Sequence, residues 1–137
     1  MRRLGEIRIC GSTDQIDKVT EFVGNCGSRI GMRQRDILDI QISADEACSN
    51  AISHGYAKGE GEIHIACDYD HDSIVLTISD NGIPFDPLGI PEPDLAKELE
   101  QRRLGGLGIH LIRTLMDEVK YHRRGDANVL VMLKKLQ

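Results

Sequence analysis

Apolar residues change their spacing along this 137-residue chain, and the order of those changes limits the folds it can adopt. Residues 4–10 alternate between polar and apolar side chains, which predicts a β-strand. Helical spacing follows, first as far as about Gly27 and then over residues 33–54, where apolar residues form one stripe. Residues 61–70 and 73–79 return to strand patterns around a polar turn, which indicates a hairpin.

The second half of the chain has a different order. Prolines at positions 84, 87, 91 and 93 exclude a regular element through that stretch. A short polar helix is predicted over residues 94–101, an apolar-periodic helix near Leu107, and two strands near residues 117–123 and 127–136. This is not the regular alternation of a doubly wound sheet. It predicts an α+β fold, a two-layer α/β sandwich with helices on one face of a mixed, mostly antiparallel sheet, in one domain over residues 1–137.

Composition narrows the class of partner. The net charge of -5, the pI near 5.5 and the 4% of aromatic residues argue against a general binder of nucleic acid or of anionic membranes. No segment approaches the ~20 apolar residues of a membrane span, and no signal-peptide pattern is visible. The four cysteines are widely spaced without a Cys-x-x-Cys pair, which indicates reduced, buried thiols. We therefore expect a cytoplasmic protein.

Glu46 and Asn50 are the first candidate site residues. They lie four positions apart on a predicted helix, so their side chains lie one above the other beside the apolar stripe. A carboxylate and an amide at this spacing can hold a magnesium ion, or its waters, through oxygen atoms. The carboxylate can also accept a proton from an attacking hydroxyl. The alternative interpretation is a polar helix edge that binds nothing.

Asp80 and Gly82 follow an apolar strand pattern. Alternation places Asp80 on the same side as Leu76 and Ile78, so its carboxylate should point toward the core. A buried carboxylate needs hydrogen-bond donors, and the exocyclic amino group of adenine is one. Gly82 would let a ring approach the backbone. The alternative is a hairpin turn, because Asn-Gly is a strong hairpin signal, but the residues that follow do not resemble a returning strand.

A glycine-rich turn comes just before a helical pattern. It consists of Gly105, Gly106, Leu107 and Gly108. Glycines in this position leave backbone N–H groups free, and a helix N-terminus favours anions such as a triphosphate. The spacing matches neither a P-loop nor a dinucleotide fingerprint. On its own, this glycine cluster does not identify a ligand.

In order along the chain, the three segments resemble the N, G1 and G2 boxes of the GHKL ATPases, the Bergerat-fold superfamily. The patterns are Glu-x-x-x-Asn, then Asp-x-Gly, then Gly-Gly-Leu-Gly. Residues 46–56, 80–87 and 105–113 resemble, more specifically, the anti-sigma-factor serine/threonine kinases of that superfamily. The likeness covers nearly the whole chain.

This resemblance implies a role for the first two boxes. Glu46 would be the general base and would also reach Mg²⁺ through a water, and Asn50 would be the direct Mg²⁺ ligand. Asp80 would bind the adenine of ATP, with Gly82 next to it.

The resemblance also implies roles for the third box and for the residues before it. Residues 105–108 would form the phosphate loop, preceded by an ATP lid at about residues 87–104. The charge and position of Arg103 suit a contact with the γ-phosphate. Many family members have a Thr near the last strand that supports adenine, whereas residues 125–128 of this chain are Gly-Asp-Ala-Asn.

The function implied is that of an ATP-dependent protein serine/threonine kinase and anti-sigma-factor-like regulator, which phosphorylates a STAS-domain anti-sigma antagonist. The alternative is an ATP-binding partner-switching module that sequesters a sigma factor or another partner without significant kinase activity. The first strand has an edge that could serve a homodimer.

Overall fold

The computed structural model describes residues 1–10, 12–55, 61–89 and 107–136. Its five strands are β1 Arg2–Cys10, β2 Glu62–Asp70, β3 Ser73–Asp80, β4 Glu118–Arg124 and β5 Ala127–Lys135. They form one sheet in the order β1-β2-β3-β5-β4. The α-helices in the described ranges are α1 Ile16–Arg29, α2 Gln34–Asn50 and α3 Leu107–Leu115. These bounds confirm the predicted α+β sandwich to within a few residues.

The sheet differs from the prediction in one respect, because every pairing between its described strands is antiparallel. The described part of the sheet therefore has no parallel pair of the kind that a mixed sheet contains. β3 and β4 run in the same direction and are joined by a crossover that includes α3. β5 lies between them, so two strands of the same direction do not become neighbours.

The hydrophobic core lies between one face of the sheet and the helices. Alternate residues of the central strands point into it, among them Ile65, Leu76 and Met132, all of which are fully buried. Ile40 from α2 and Ile112 from α3 meet them from the helical layer. Burial of side chains of this size stabilises a fold by about 1.5–3 kcal/mol each relative to exposure, so this face determines the register of the strands.

α2 is the helix that carries Glu46 and Asn50. Arg33 precedes it in an extended conformation, and apolar residues on one stripe of the helix are buried. Directly after Asn50 the helix continues as one π-helical turn, Ala51–Gly55. Such turns interrupt the regular helical register and often occur at functional sites.

The cysteines are all free thiols, and three of them, Cys26, Cys48 and Cys67, are buried as predicted. The prediction is wrong for Cys10, which is exposed because it lies on the uncovered face at the end of β1. Burial raises the pKa of Cys48 to about 12, so this thiol stays protonated and unreactive.

We therefore expect one fast-reacting thiol in the native protein and four in denaturant, by titration with a chromogenic disulfide reagent. Cys10→Ser should remove the fast thiol and leave the slow ones unchanged. Any fast-reacting thiol that remains in the Cys10→Ser protein would contradict the burial of the other three.

Two predictions stay open. The polar helix over residues 94–101 lies outside the described residues, as does most of the lid at about residues 87–104. Within the ranges described, no helix is both long and apolar enough to cross a membrane.

Candidate functional site

Asp80, the last residue of β3, is buried and points to the side of the sheet that faces the helices, as strand alternation predicts. One of its carboxylate oxygens, Oδ1, accepts two hydrogen bonds, from the backbone N–H of Gly82 at 2.8 Å and from Nδ2 of Asn128 at 3.1 Å. These donors stabilise a carboxylate that would otherwise be costly to bury. Its other oxygen forms no hydrogen bond within the described chain.

Asn128, at the start of β5, is the direct cross-strand neighbour of Asp80. This side chain is also buried. The sequence pattern left the function of residues 125–128 open, and the structure shows that Asn128 contacts Asp80 directly. A signal was available, since Asn128 shares the alternation of Leu130 and Met132 and so should face the core like Asp80.

Asp80 and Asn128 belong to one row of residues that crosses the whole sheet. The row consists of consecutive cross-strand partners, one from each strand: Ile9, Ile63, Asp80, Asn128 and Arg123. The apolar members belong to β1 and β2, and the polar members to β3, β5 and β4. Strand register therefore determines the position of the polar group.

An open pocket with an empty volume of about 380 Å³ borders this polar group. Apolar and aromatic side chains make up most of its wall, and three polar side chains from different elements converge on it. The lining residues are Ala47, Asn50, Ala51, Ile78, Asp80, Phe85, Pro87, Tyr121, Asn128 and Leu130.

Glu46 and Asn50 meet the N-terminal turn of α3 at Gly108. A β-carbon built on Gly108 would lie 2.7 Å from Oε2 of Glu46 and 3.8 Å from Oδ1 of Asn50. The structure thus brings the first and third boxes together, although 62 positions separate Glu46 from Gly108 in the sequence. The free backbone N–H groups of the first turn of a helix are suited to bind an anion.

The electrostatics of these side chains suit a reactive site. Burial, and then the neighbouring Asp45 carboxylate, raise the pKa of Glu46 above its ordinary value. A carboxylate with a raised pKa is a stronger base. Nδ2 of Asn50 is buried and has no hydrogen-bond partner within the described ranges. An unsatisfied buried group at a pocket is an available contact for a ligand or its waters.

The segment that leaves β3 is held by arginines from two other elements. Nη1 of Arg123 donates to the carbonyl of Gly82 at 2.8 Å, and Nη2 of Arg113 donates to the carbonyl of Leu88 at 2.6 Å. A basic pair at 123–124 is most simply a solvated surface feature, and nothing in the pattern indicated the contact of Arg123. These bonds fix the backbone beside the pocket and the first residues of the predicted lid.

The predicted site residues therefore fall into two groups. Glu46, Asn50, Asp80, Gly82 and Gly108 lie around one pocket and the adjoining helix end. Arg103, Gly105 and Gly106 lie outside the described residues, as does the side chain of Leu107, and their roles stay predictions.

We expect Gly108→Ala to impair ligand binding and catalysis more than stability. The added methyl group would displace the Glu46 carboxylate, which is the far end of a flexible side chain and can move at little cost to the fold. Stability should therefore change little, whereas the Glu46 carboxylate would no longer occupy its position beside the helix end. Titration calorimetry with Mg-ATP should show weaker binding, while the melting temperature changes little.

Thr114→Ala is the matched control for that change, since it adds no atoms and lies on the exposed side of the same helix. Its binding should equal that of the unmodified protein. Equal binding by Gly108→Ala would show that the close approach to Glu46 has no functional role.

Comparison with known proteins extends this picture. The profile of the histidine kinase-like ATPase domain matches residues 11–134. The serine-protein kinase RsbW of Bacillus cereus is 29% identical over 134 residues, which cover 95% of this chain and 82% of that protein. RsbW of Bacillus thuringiensis subsp. konkukian is similar to the same extent.

Solved structures are similar in fold. The RsbU and RsbW domains of a Mycobacterium tuberculosis protein superpose with a TM-score of 0.63 at 17% identity, covering 96% of this chain and 32% of that one. This chain thus spans about a third of that structure's length. The histidine kinase domain of a blue-light activated histidine kinase from Erythrobacter litoralis gives a TM-score of 0.56 at 15% identity, covering 90% and 60% of the two chains.

Proposed function

Because this chain belongs to the histidine kinase-like ATPase domain family, we propose that it is an ATP-dependent protein serine/threonine kinase. It transfers the γ-phosphoryl group of ATP to a Ser or Thr of a STAS-type anti-sigma antagonist and so acts as an anti-sigma-factor-like regulator. The observation that carries the proposal is the meeting of Glu46, Asn50 and Gly108 beside the pocket that contains Asp80.

The pocket suits the adenine base of ATP. Apolar walls can bury the faces of a flat ring, and the free carboxylate oxygen of Asp80 can accept a hydrogen bond from an exocyclic amino group. Gly82 is buried in the turn after β3, and its backbone N–H donates to Oδ1 of Asp80 at 2.8 Å. Together these residues support selection of a purine with an amino group.

The adjoining helix end suits the phosphates and Mg²⁺. Bound Mg²⁺ would neutralise the negative charge on the phosphate oxygens during transfer. Asn50 can hold the ion through Oδ1 and Glu46 can reach it through a water, since oxygen atoms are its preferred ligands. The N-terminal N–H groups of α3, at Gly108, can bind phosphate oxygens directly. The oxygen ligands and the helix N-terminus fit a magnesium–triphosphate group.

Glu46 is the proposed general base. Its raised pKa favours acceptance of the proton from the acceptor hydroxyl as that oxygen attacks phosphorus. The other residues contribute mainly by positioning the reacting groups and by electrostatic stabilisation.

The relatives named serine-protein kinase RsbW support a protein substrate that is phosphorylated on serine. The resemblance to the anti-sigma-factor kinases supports a STAS-domain protein as that substrate and a sigma factor as a second partner. β1 is an edge strand of the described sheet, which supports a homodimer formed through that edge. A single domain over residues 1–137, in the cytoplasm, completes the proposal.

Transfer of label from γ-labelled ATP to a purified STAS protein tests this function. The label on the STAS protein should survive acid and be lost when the acceptor Ser or Thr is changed to Ala. An acid-labile, alkali-stable label would indicate phosphohistidine and would contradict the Ser/Thr assignment. Mg-ATP binding and nucleotide-dependent capture of the partner, without any transfer, would favour the partner-switching module.

A further inference from the structure

The side-chain amide of Asn128 uses its full hydrogen-bonding capacity beside the pocket. Nδ2 donates to Oδ1 of Asp80 at 3.1 Å and to the carbonyl of Ile83 at 2.8 Å. Oδ1 accepts from the hydroxyl of Tyr121 at 2.6 Å and from the backbone N–H of Phe85 at 3.2 Å. Two donors and two acceptors are the complete set for an asparagine, so this amide has one orientation.

That orientation determines which carboxylate oxygen of Asp80 is free. Oδ1 is occupied by Asn128 and by the backbone of Gly82. The other oxygen forms no hydrogen bond with the described residues, and Asp80 lines the pocket. A ligand in the pocket therefore meets a carboxylate oxygen that can only accept, held in place by the bonds at Oδ1.

We propose that Asn128 is the positioning residue that makes this site selective for a purine bearing a 6-amino group. The inference rests on the proposed function. Asn128 fixes the Asp80 carboxylate, and through Ile83 and Phe85 it joins that carboxylate to the backbone that leads into the predicted lid. One amide thus links the orientation of the Asp80 carboxylate to the backbone at Ile83 and Phe85.

Tyr121 affects the orientation of Asp80 indirectly, through its hydrogen bond to Asn128. Its hydroxyl donates to Oδ1 of Asn128, so a rotated amide would lose that bond and place two oxygen atoms, Oδ1 of each residue, against each other. Tyr121 also lines the pocket. Removing its hydroxyl weakens the orientation of Asn128 without removing any direct contact with Asp80.

The test compares the dissociation constants of ATP and inosine triphosphate, which carries a 6-oxo group in place of the 6-amino group. The unmodified protein should bind ATP more tightly. Asn128→Ala should lower that preference about tenfold, the equivalent of ~1.4 kcal/mol, chiefly through weaker ATP binding. Asn128→Thr, whose hydroxyl can still donate to Asp80, should recover part of the preference.

A merely structural role for Asn128 predicts another pattern. Both triphosphates would then lose affinity by the same factor and the preference would not change, which would overturn the inference. If Asn128→Ala does not fold, Tyr121→Phe provides the test, with an expected fall of about threefold in the preference. An unchanged preference in a folded Tyr121→Phe protein would equally overturn it.

A failure of the proposed function can be distinguished from a failure of the role of Asn128. Absence of ATP binding by the unmodified protein would contradict both the kinase proposal and the role of Asn128. ATP binding with a normal preference in every variant would leave the kinase proposal standing and overturn only the role of Asn128.

Discussion

Glu46→Gln will abolish most phosphoryl transfer while the protein still folds and still binds ATP. Glutamine retains the shape and one oxygen of glutamate but cannot accept the proton from the acceptor hydroxyl. Loss of a general base typically lowers the rate roughly 100- to 10,000-fold. Single-turnover transfer to the STAS substrate measures this directly. A rate within a few-fold of normal would contradict the assignment of Glu46 as the base.

The pH dependence provides a second measurement on the same residue. The pKa of Glu46 is raised by burial, so the rate should fall at a pH higher than the ordinary glutamate pKa as the carboxylate becomes protonated. The effect on stability has the opposite sign. The stabilising contribution of this group is full below the unfolded pKa and is lost as the pH rises through the folded pKa. Glu46→Gln should therefore be at least as stable as the unmodified protein at neutral pH.

Asp45→Asn is the matched control, since it makes the same chemical change one position earlier on α2. Asp45 accepts a hydrogen bond from the hydroxyl of Thr20 at 2.6 Å, and an asparagine oxygen can still accept it. Transfer should be retained by this variant. Equal loss in both variants would indicate a general electrostatic effect of the helix, not a specific base.

Asp80→Asn will reverse the preference of the site between ATP and inosine triphosphate. The amide oxygen can replace Oδ1 and accept from Gly82 and Asn128, and its NH₂ group then faces the pocket. This donor opposes the 6-amino group of ATP but suits a 6-oxo group. An unpaired buried polar group costs about 1–3 kcal/mol, so ATP affinity should fall roughly 5- to 150-fold.

Titration calorimetry with both triphosphates measures this reversal, and Asp86→Asn is its control. Asp86 is an exposed carboxylate six positions further on, and among the described residues its Oδ1 accepts from the backbone N–H of Leu88. Its conversion to the amide should leave the preference intact. Proportional weakening of both triphosphates by Asp80→Asn would show that Asp80 supports the fold and does not select the base.

Strand alternation was sufficient to predict the direction of Asp80, because a period of two in a half-buried strand leaves only two choices. Helical spacing was likewise sufficient to pair Glu46 with Asn50. The same alternation applies to Asn128, but a polar residue beside a Gly-Asp turn has no obvious partner until strand order is known. Its bond to Asp80 spans 48 positions and depends on β5 inserting between β3 and β4.

Other contacts depend on how elements pack, which no local pattern determines. The approach of Gly108 to Glu46 requires the position of α3 against α2, and the bond of Arg123 to Gly82 requires an edge strand to lie beside a turn. A basic pair and a glycine cluster carry no information about partners that are distant in sequence. The family resemblance predicted that the three boxes belong to one site, which the local patterns could not predict.

The row from Ile9 to Arg123 makes ATP a reporter of correct strand pairing. A slip of one residue in any of the hairpins would turn Asp80 or Asn128 away from the pocket. Only the native register would then bind the nucleotide, and binding to the native state alone stabilises it by RT ln(1 + [L]/Kd). ATP in the refolding buffer would therefore favour chains with the native register over mispaired ones. The time course of ATP binding during refolding would measure when the strands reach that register.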